Sequence, residues 1–162
     1  MPAESTEQTI IGTIRITPEP SQAVFALEAA LNLLEAAKSE IGEKRYEDAY
    51  GDSKNAIMMA AAAIMYNDGY VANTPEGAYG FMEKKYGRAQ LVREWKSVDM
   101  DSPENRGAIA RIAEALGLGR KKEMEAELGA RKALSLAEVF IESARTIVMS
   151  GMVPAWASAR KG

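Results

Sequence analysis

Apolar residues return every three or four positions along much of this chain, the spacing that gathers side chains on one face of an α-helix. Val24, Leu27, Leu31 and Leu34 carry such a stripe through to Ile41, and Gly42 follows as a stop, which predicts a first helix over 18–41. A second is expected over 43–68: it opens polar, holds an unbroken apolar run from Ala56 to Met65, and ends at Asn67-Asp68-Gly69. That run has no polar face, so its helix should be buried on every side at the middle of a bundle. Its ten residues are too few for a bilayer span, which needs about 20.

A short third helix is predicted over 75–86, followed by a basic connection from Arg88 to Lys96. A fourth starts at Asp101 or Ser102 on the stripe Ile109, Ile112, Ala113 and Leu116, and Gly117-Leu118-Gly119 interrupts it. The fifth runs over about 124–149 on Leu134, Ala137, Phe140, Ile141, Ala144 and Val148. Thr17-Pro18-Glu19, Thr74-Pro75-Glu76 and Ser102-Pro103-Glu104 each read as a helix start: a hydroxyl cap, a proline where no N–H is needed, and an acid at the positive dipole end. Residues 9–17 are β-branched with partial alternation, a strand-like signal. A lone strand does not stabilise itself, so unless it frays it should pair with its copy in a second subunit or lie across the bundle as an extended arm. The expected organisation is an all-α domain over 18–150, with an arm at 1–17 and a tail at 151–162.

At 162 residues the chain has the size of one domain, and its 47% hydrophobic content rests on Ala, Leu, Ile and Met, mostly helix formers. It contains neither histidine nor cysteine. This excludes disulfides and thiolate metal sites and removes the side chains most used for acid-base work near neutral pH. No cofactor is called for, no membrane segment is expected, and cytoplasm is the expected compartment. A net charge of −3 argues against constitutive, high-affinity nucleic-acid binding, since phosphate contact draws on a surplus of Lys and Arg.

Local chemistry is concentrated in a few places. Lys84, Lys85, Arg88, Arg93 and Lys96 interleave with Tyr86 and Trp95, a combination suited to phosphate contact with base stacking, and Arg120, Lys121 and Lys122 follow the glycine break. Neighbouring Glu83, Glu94, Glu123 and Glu125 dilute that charge, and solvated helix faces are the simpler reading. Tyr50 and Lys54 have the Tyr-x-x-x-Lys spacing of short-chain dehydrogenases, but without a glycine fingerprint they read as neighbours one helical turn apart. Asp99, Asp101 and Glu104 could attract a hard cation, yet they fit the calcium-loop pattern poorly and read better as acids at a helix start.

Taken together, Arg45-Tyr46-Glu47-Asp48-Ala49, Asn55-Ala56-Ile57, the alanine-rich run to Asn67-Asp68-Gly69, then Thr74-Pro75-Glu76-Gly77 and Phe81 resemble the HEPN family, named for higher eukaryotes and prokaryotes nucleotide-binding. Ala137-Glu138-Val139-Phe140-Ile141 is similar to that family's last helix. The resemblance implies an up-and-down bundle of four or five helices, a two-fold homodimer, and a ligand cleft near its seam. It also implies one of three roles: ribonuclease, nucleotide or RNA binder, or protein partner of a small nucleotidyltransferase in a toxin-antitoxin-type pair. The family's ribonucleases use an arginine followed closely by histidine. Here Arg131 stands in the corresponding region with no histidine after it, and Pro75 follows the loop threonine where many relatives have histidine. Lys, Arg, Asp and Glu do not replace an imidazole near neutral pH. The expectation is therefore a non-catalytic HEPN-like protein that binds a nucleotide, RNA or a partner protein through Lys84, Lys85, Arg88, Arg93, Lys96, Arg120, Lys121, Lys122 and Arg131, or else a purely structural adaptor.

Overall fold

The computed structural model describes residues 10–100, 115–117 and 119–150. Along the chain these form β1 (Thr13–Arg15), α1 (Pro20–Gly42), α2 (Tyr46–Asp68), β2 (Tyr70–Ala72), α3 (Pro75–Tyr86), α4 (Ala89–Met100) and α5 (Gly119–Ser150). The chain is mostly helical, as the periodicity predicts. The helix expected from Asp101 or Ser102, its Ser-Pro-Glu start and the tail at 151–162 lie outside the described residues.

Alanine sets the packing of the three long helices. Ala23, Ala30 and Ala37 on α1, Ala49, Ala56 and Ala63 on α2, and Ala130, Ala137 and Ala144 on α5 recur every seventh residue, and all are 0% exposed. A seven-residue repeat keeps one seam facing its neighbour, and a methyl side chain on that seam lets helix axes approach toward the low end of the usual ~8–10 Å range. Larger residues, among them Leu27, Leu34, Ile57, Ile64 and Phe140, fill the space beside the seams. α2 touches every other described helix and β2, so it is the central element.

α2 is nevertheless not buried on every side. Met58 is 48% exposed and Met59 and Ala62 are partly so, whereas Ala56, Ile57, Ala60 and Ala61 are covered. An all-apolar decade here means that α1 and α5 bury two sides while a third borders a cleft.

Two other departures shape that cleft. The strand-like N-terminal segment pairs within its own chain, antiparallel to β2 in the register Thr13↔Ala72, Ile14↔Val71 and Arg15↔Tyr70. Ile16 N–H to Gly69 O (2.9 Å) and Asn73 N–H to Gly12 O (2.8 Å) extend the ladder, and Ile10 reaches the core. Gly12 lies against the start of α3 so closely that a Cβ on Gly77 would stand 2.0 Å from the Gly12 carbonyl oxygen. The segment from Arg88 to Lys96, expected to be a basic connection, falls almost wholly within the helix Ala89–Met100, because Val92, Trp95 and Val98 form a narrow buried stripe among charged neighbours. Smaller shifts occur at helix starts: α1 begins at Pro20 rather than at Pro18, and α2 at Tyr46. Thr74 caps α3 as its triplet predicts, its hydroxyl accepting from Gly77 N–H at 3.1 Å.

Where α1 gives way to α2, Glu40 is covered, with Oε2 lacking a hydrogen-bond partner among the described residues. Loss of water around the carboxyl, its hydrogen bond with Asp52 and the like charge of Asp52 push its pKa up to about 7, against the opposing pull of Arg45. The folded state therefore holds this proton more tightly than the unfolded chain does.

Two stability predictions follow from the seams and from Glu40. Ala56→Leu should cost about 1–3 kcal/mol by overpacking, read from the urea midpoint, while Ala62→Leu, which points into open space on α2, should leave that midpoint near wild type. The stabilisation contributed by Glu40's proton is complete below the ordinary carboxyl pKa of 4.5 and is lost as pH rises through about 7. Melting curves of Glu40→Gln should accordingly gain on wild type between about pH 5 and pH 8; parallel curves would remove Glu40 as the cause.

Candidate functional site

The open side of α2 forms one wall of a cleft of about 350 Å³. Met58, Met59, Ala62, Met65 and Tyr66 come from that helix; Tyr70, Val71 and Ala72 come from β2. The start of α3 adds Thr74, Pro75 and Ala78, and α4 closes the cleft with Trp95 and Asp99, one helical turn apart. The volume lies at the lower end of the ~300–1,000 Å³ typical of ligand pockets, and the walls combine mainly apolar surface with a few polar groups, the usual composition of such pockets.

α4 is fixed in place by residues whose spacing is visible in the sequence. The Tyr50 hydroxyl donates to the Val98 carbonyl, and Lys54 Nζ lies 3.9 Å from Asp99 Oδ1. Tyr50 and Lys54 thus use their one-turn separation to hold the end of a neighbouring helix, which is a structural role. Tyr79 donates its hydroxyl to Asp99 Oδ2. Burial, that hydrogen bond and the negative charge of Asp99 all push the Tyr79 pKa upward, so the hydroxyl remains a donor. Tyr86 is held in the same way by Asp68 at 2.5 Å, with burial again the first cause of its raised pKa.

Trp95 is 1% exposed and stands edge-on to two rings, Tyr79 at 4.7 Å between centroids and Phe140 at 5.2 Å. Its Nε1 is buried with no hydrogen-bond acceptor among the described residues. Tyr70 lines the cleft, and Arg15 Cζ lies 5.7 Å and Lys85 Nζ 5.2 Å from its ring centroid, although neither cation is itself among the lining residues. Such contacts hold both cations beside the Tyr70 ring.

Among the described residues, the basic side chains singled out in the sequence go to different places. Lys85 reaches Tyr70; Lys96 lies 5.5 Å from the Tyr79 ring centroid and 3.7 Å from Glu83. Lys84 and Arg93 are exposed, and neither lines the cleft. Arg88 borders a separate hollow of about 180 Å³ with Tyr86, Glu142 and Thr146. Arg131 pairs with Glu127 at 3.0 Å along α5. Lys122 is half-buried on α5, and the side chains of Arg120 and Lys121 lie outside the described residues. Sequence reasoning missed Arg15, whose place opposite Tyr70 depends on the β1–β2 register, and Asp99, which it grouped with the acids that follow.

Among the described residues no cluster of acids could hold a metal ion, and no helix is long and apolar enough to cross a membrane. Asp101 and Glu104 of the acidic run lie outside them. No family model, curated protein or solved structure matches the chain.

The raised tyrosines give a direct optical test. In an alkaline titration of tyrosinate absorbance, Tyr79 and Tyr86 should ionise only as the protein unfolds, above the ordinary tyrosine value of 10. The Tyr79→Phe/Tyr86→Phe variant should keep the early phase and lose amplitude from the late one; loss from the early phase would contradict the hydrogen bonds to Asp99 and Asp68.

Proposed function

We propose that this chain is a non-catalytic, HEPN-like helical protein that binds a nucleotide, or one nucleotide unit of single-stranded RNA. The base enters the cleft between α2, β2, α3 and α4, and the phosphate rests on Arg15 and Lys85. The observation that carries this reading is the placement of Tyr70, which lines the apolar slot and holds two cations over its ring. A nucleotide needs both features at once: a surface on which its base can stack and cations for its phosphate. Tyr66 supplies a half-buried ring beside the buried Tyr70 and Trp95, and Met58, Met59 and Met65 supply polarisable walls that adapt to a flat heterocycle. Slot and cations come from one chain, so the site needs no second subunit.

Recognition is favoured over turnover by the chemistry of the same residues. The sequence has no imidazole or thiol. Tyr79 is held as a hydroxyl by Asp99 and is a poor base.

Calorimetric titration of the whole chain with nucleoside monophosphates at low salt tests the reading. Binding should weaken as salt rises, and Lys85→Ala should reduce affinity by roughly 5-fold, as expected for losing one exposed charge-assisted contact of about 1 kcal/mol. Ala62→Leu should abolish binding by filling the slot. A folded protein that takes up no nucleotide and no short RNA would refute the proposal.

A further inference from the structure

We infer that Asp99 is the specificity-determining residue of the cleft and that it selects bases with an amino group at purine C6 or pyrimidine C4, adenine and cytosine, over their oxo counterparts hypoxanthine and uracil. The inference rests on the nucleotide reading above and adds to it which edge of the base is read.

Among the described residues Asp99 is the only formally charged side chain on the cleft wall. Its two oxygens are not equivalent. Oδ2 accepts from the Tyr79 hydroxyl, whereas Oδ1 has no hydrogen bond among the described residues, and its nearest cation, Lys54 Nζ at 3.9 Å, is beyond hydrogen-bond reach. A carboxylate only accepts. The cleft thus presents an oriented acceptor with lone pairs to spare. With 18% side-chain exposure, Asp99 is only partly solvated, and a ligand in the slot displaces much of the water that remains.

An N–H of an exocyclic amine can donate to Oδ1. A carbonyl oxygen at the same place sets lone pair against lone pair and leaves both acceptors without water. Tyr79 keeps the carboxylate plane fixed, so Asp99 cannot turn away from an unsuitable edge without losing that bond. Hydrogen bonds to charged groups contribute enough to give about 10- to 100-fold discrimination at a partly exposed site.

The test is equilibrium binding of adenosine, inosine, cytidine and uridine monophosphates to the intact chain. Adenosine and cytidine monophosphates should bind about 10- to 100-fold more tightly than inosine and uridine monophosphates. Asp99→Asn, whose amide offers both a donor and an acceptor, should bring the two classes together. N6,N6-dimethyladenosine monophosphate provides the same comparison on the unaltered protein, since it keeps the ring and the phosphate but has no amino N–H; it should bind as weakly as the inosine compound. Equal affinity for all four nucleotides, still sensitive to Lys85→Ala, would overturn the role of Asp99 while leaving nucleotide binding intact. Undiminished binding of the dimethylated compound, or a preference that survives in Asp99→Asn, would also overturn it. Absence of binding by every nucleotide would remove both the inference and the reading beneath it.

Discussion

Close approach of three helices through alanine is the constraint on which the rest of the structure depends. Fully buried alanines at seven-residue spacing on α1, α2 and α5 put little side-chain volume on the helix faces that pack together, which allows a close approach. Alanine is also the best helix former, and its burial costs no side-chain entropy. The same residues therefore favour each helix and the contact between helices. With α1 and α5 committed to its alanine sides, α2 has one apolar direction left, marked by Met58, Ala62 and Met65.

That remaining direction is covered by lighter elements, and their polar ties decide where the cover stops. β1 and β2 form only a two-stranded pair, and the Gly12–Gly77 contact locks this pair to the start of α3 by excluding any side chain between them. α4 buries a narrow stripe and is positioned at its far end by Tyr50, Lys54 and Tyr79. A buried apolar contact would let α4 slide until the gap closed. Hydrogen bonds with fixed directions do not, and α4 stops with Trp95 and Asp99 bordering an open slot.

Much of the bundle is legible in the sequence because its signals are local and repeated. The stripes of α1 and α5, the Asn-Asp-Gly stop of α2 and the Thr74 cap all depend on residues within a turn or two of one another. α4 is harder to see: Val92, Trp95 and Val98 are its only buried residues, and the charges around them dominate the composition of the segment. β2 has three residues and gains its identity from a partner more than fifty positions away. The basic residues at 84–96 look like one patch in a linear reading. Helical rotation and the Gly87 turn disperse them, sending Lys85 to Tyr70, Lys96 to Glu83 and Tyr79, and Arg88 to a different hollow. The alanine heptads were available in the sequence, but bulky residues carry the hydrophobic signal and draw the eye away from small ones.

Asp99 shows why a site can be better determined than its sequence context suggests. On its own, a carboxylate near the end of a short helix could rotate and remain hydrated. Here three elements constrain it: α4 carries it, α3 supplies the Tyr79 hydroxyl, and α2 supplies the Lys54 ammonium. The negative charge of Asp99 is in turn one cause, after burial, of the raised Tyr79 pKa. A group held in this way presents a fixed acceptor to whatever enters the slot. Pre-organisation of that kind lowers the entropic cost of binding, and it suits a protein whose selectivity is set before the ligand arrives.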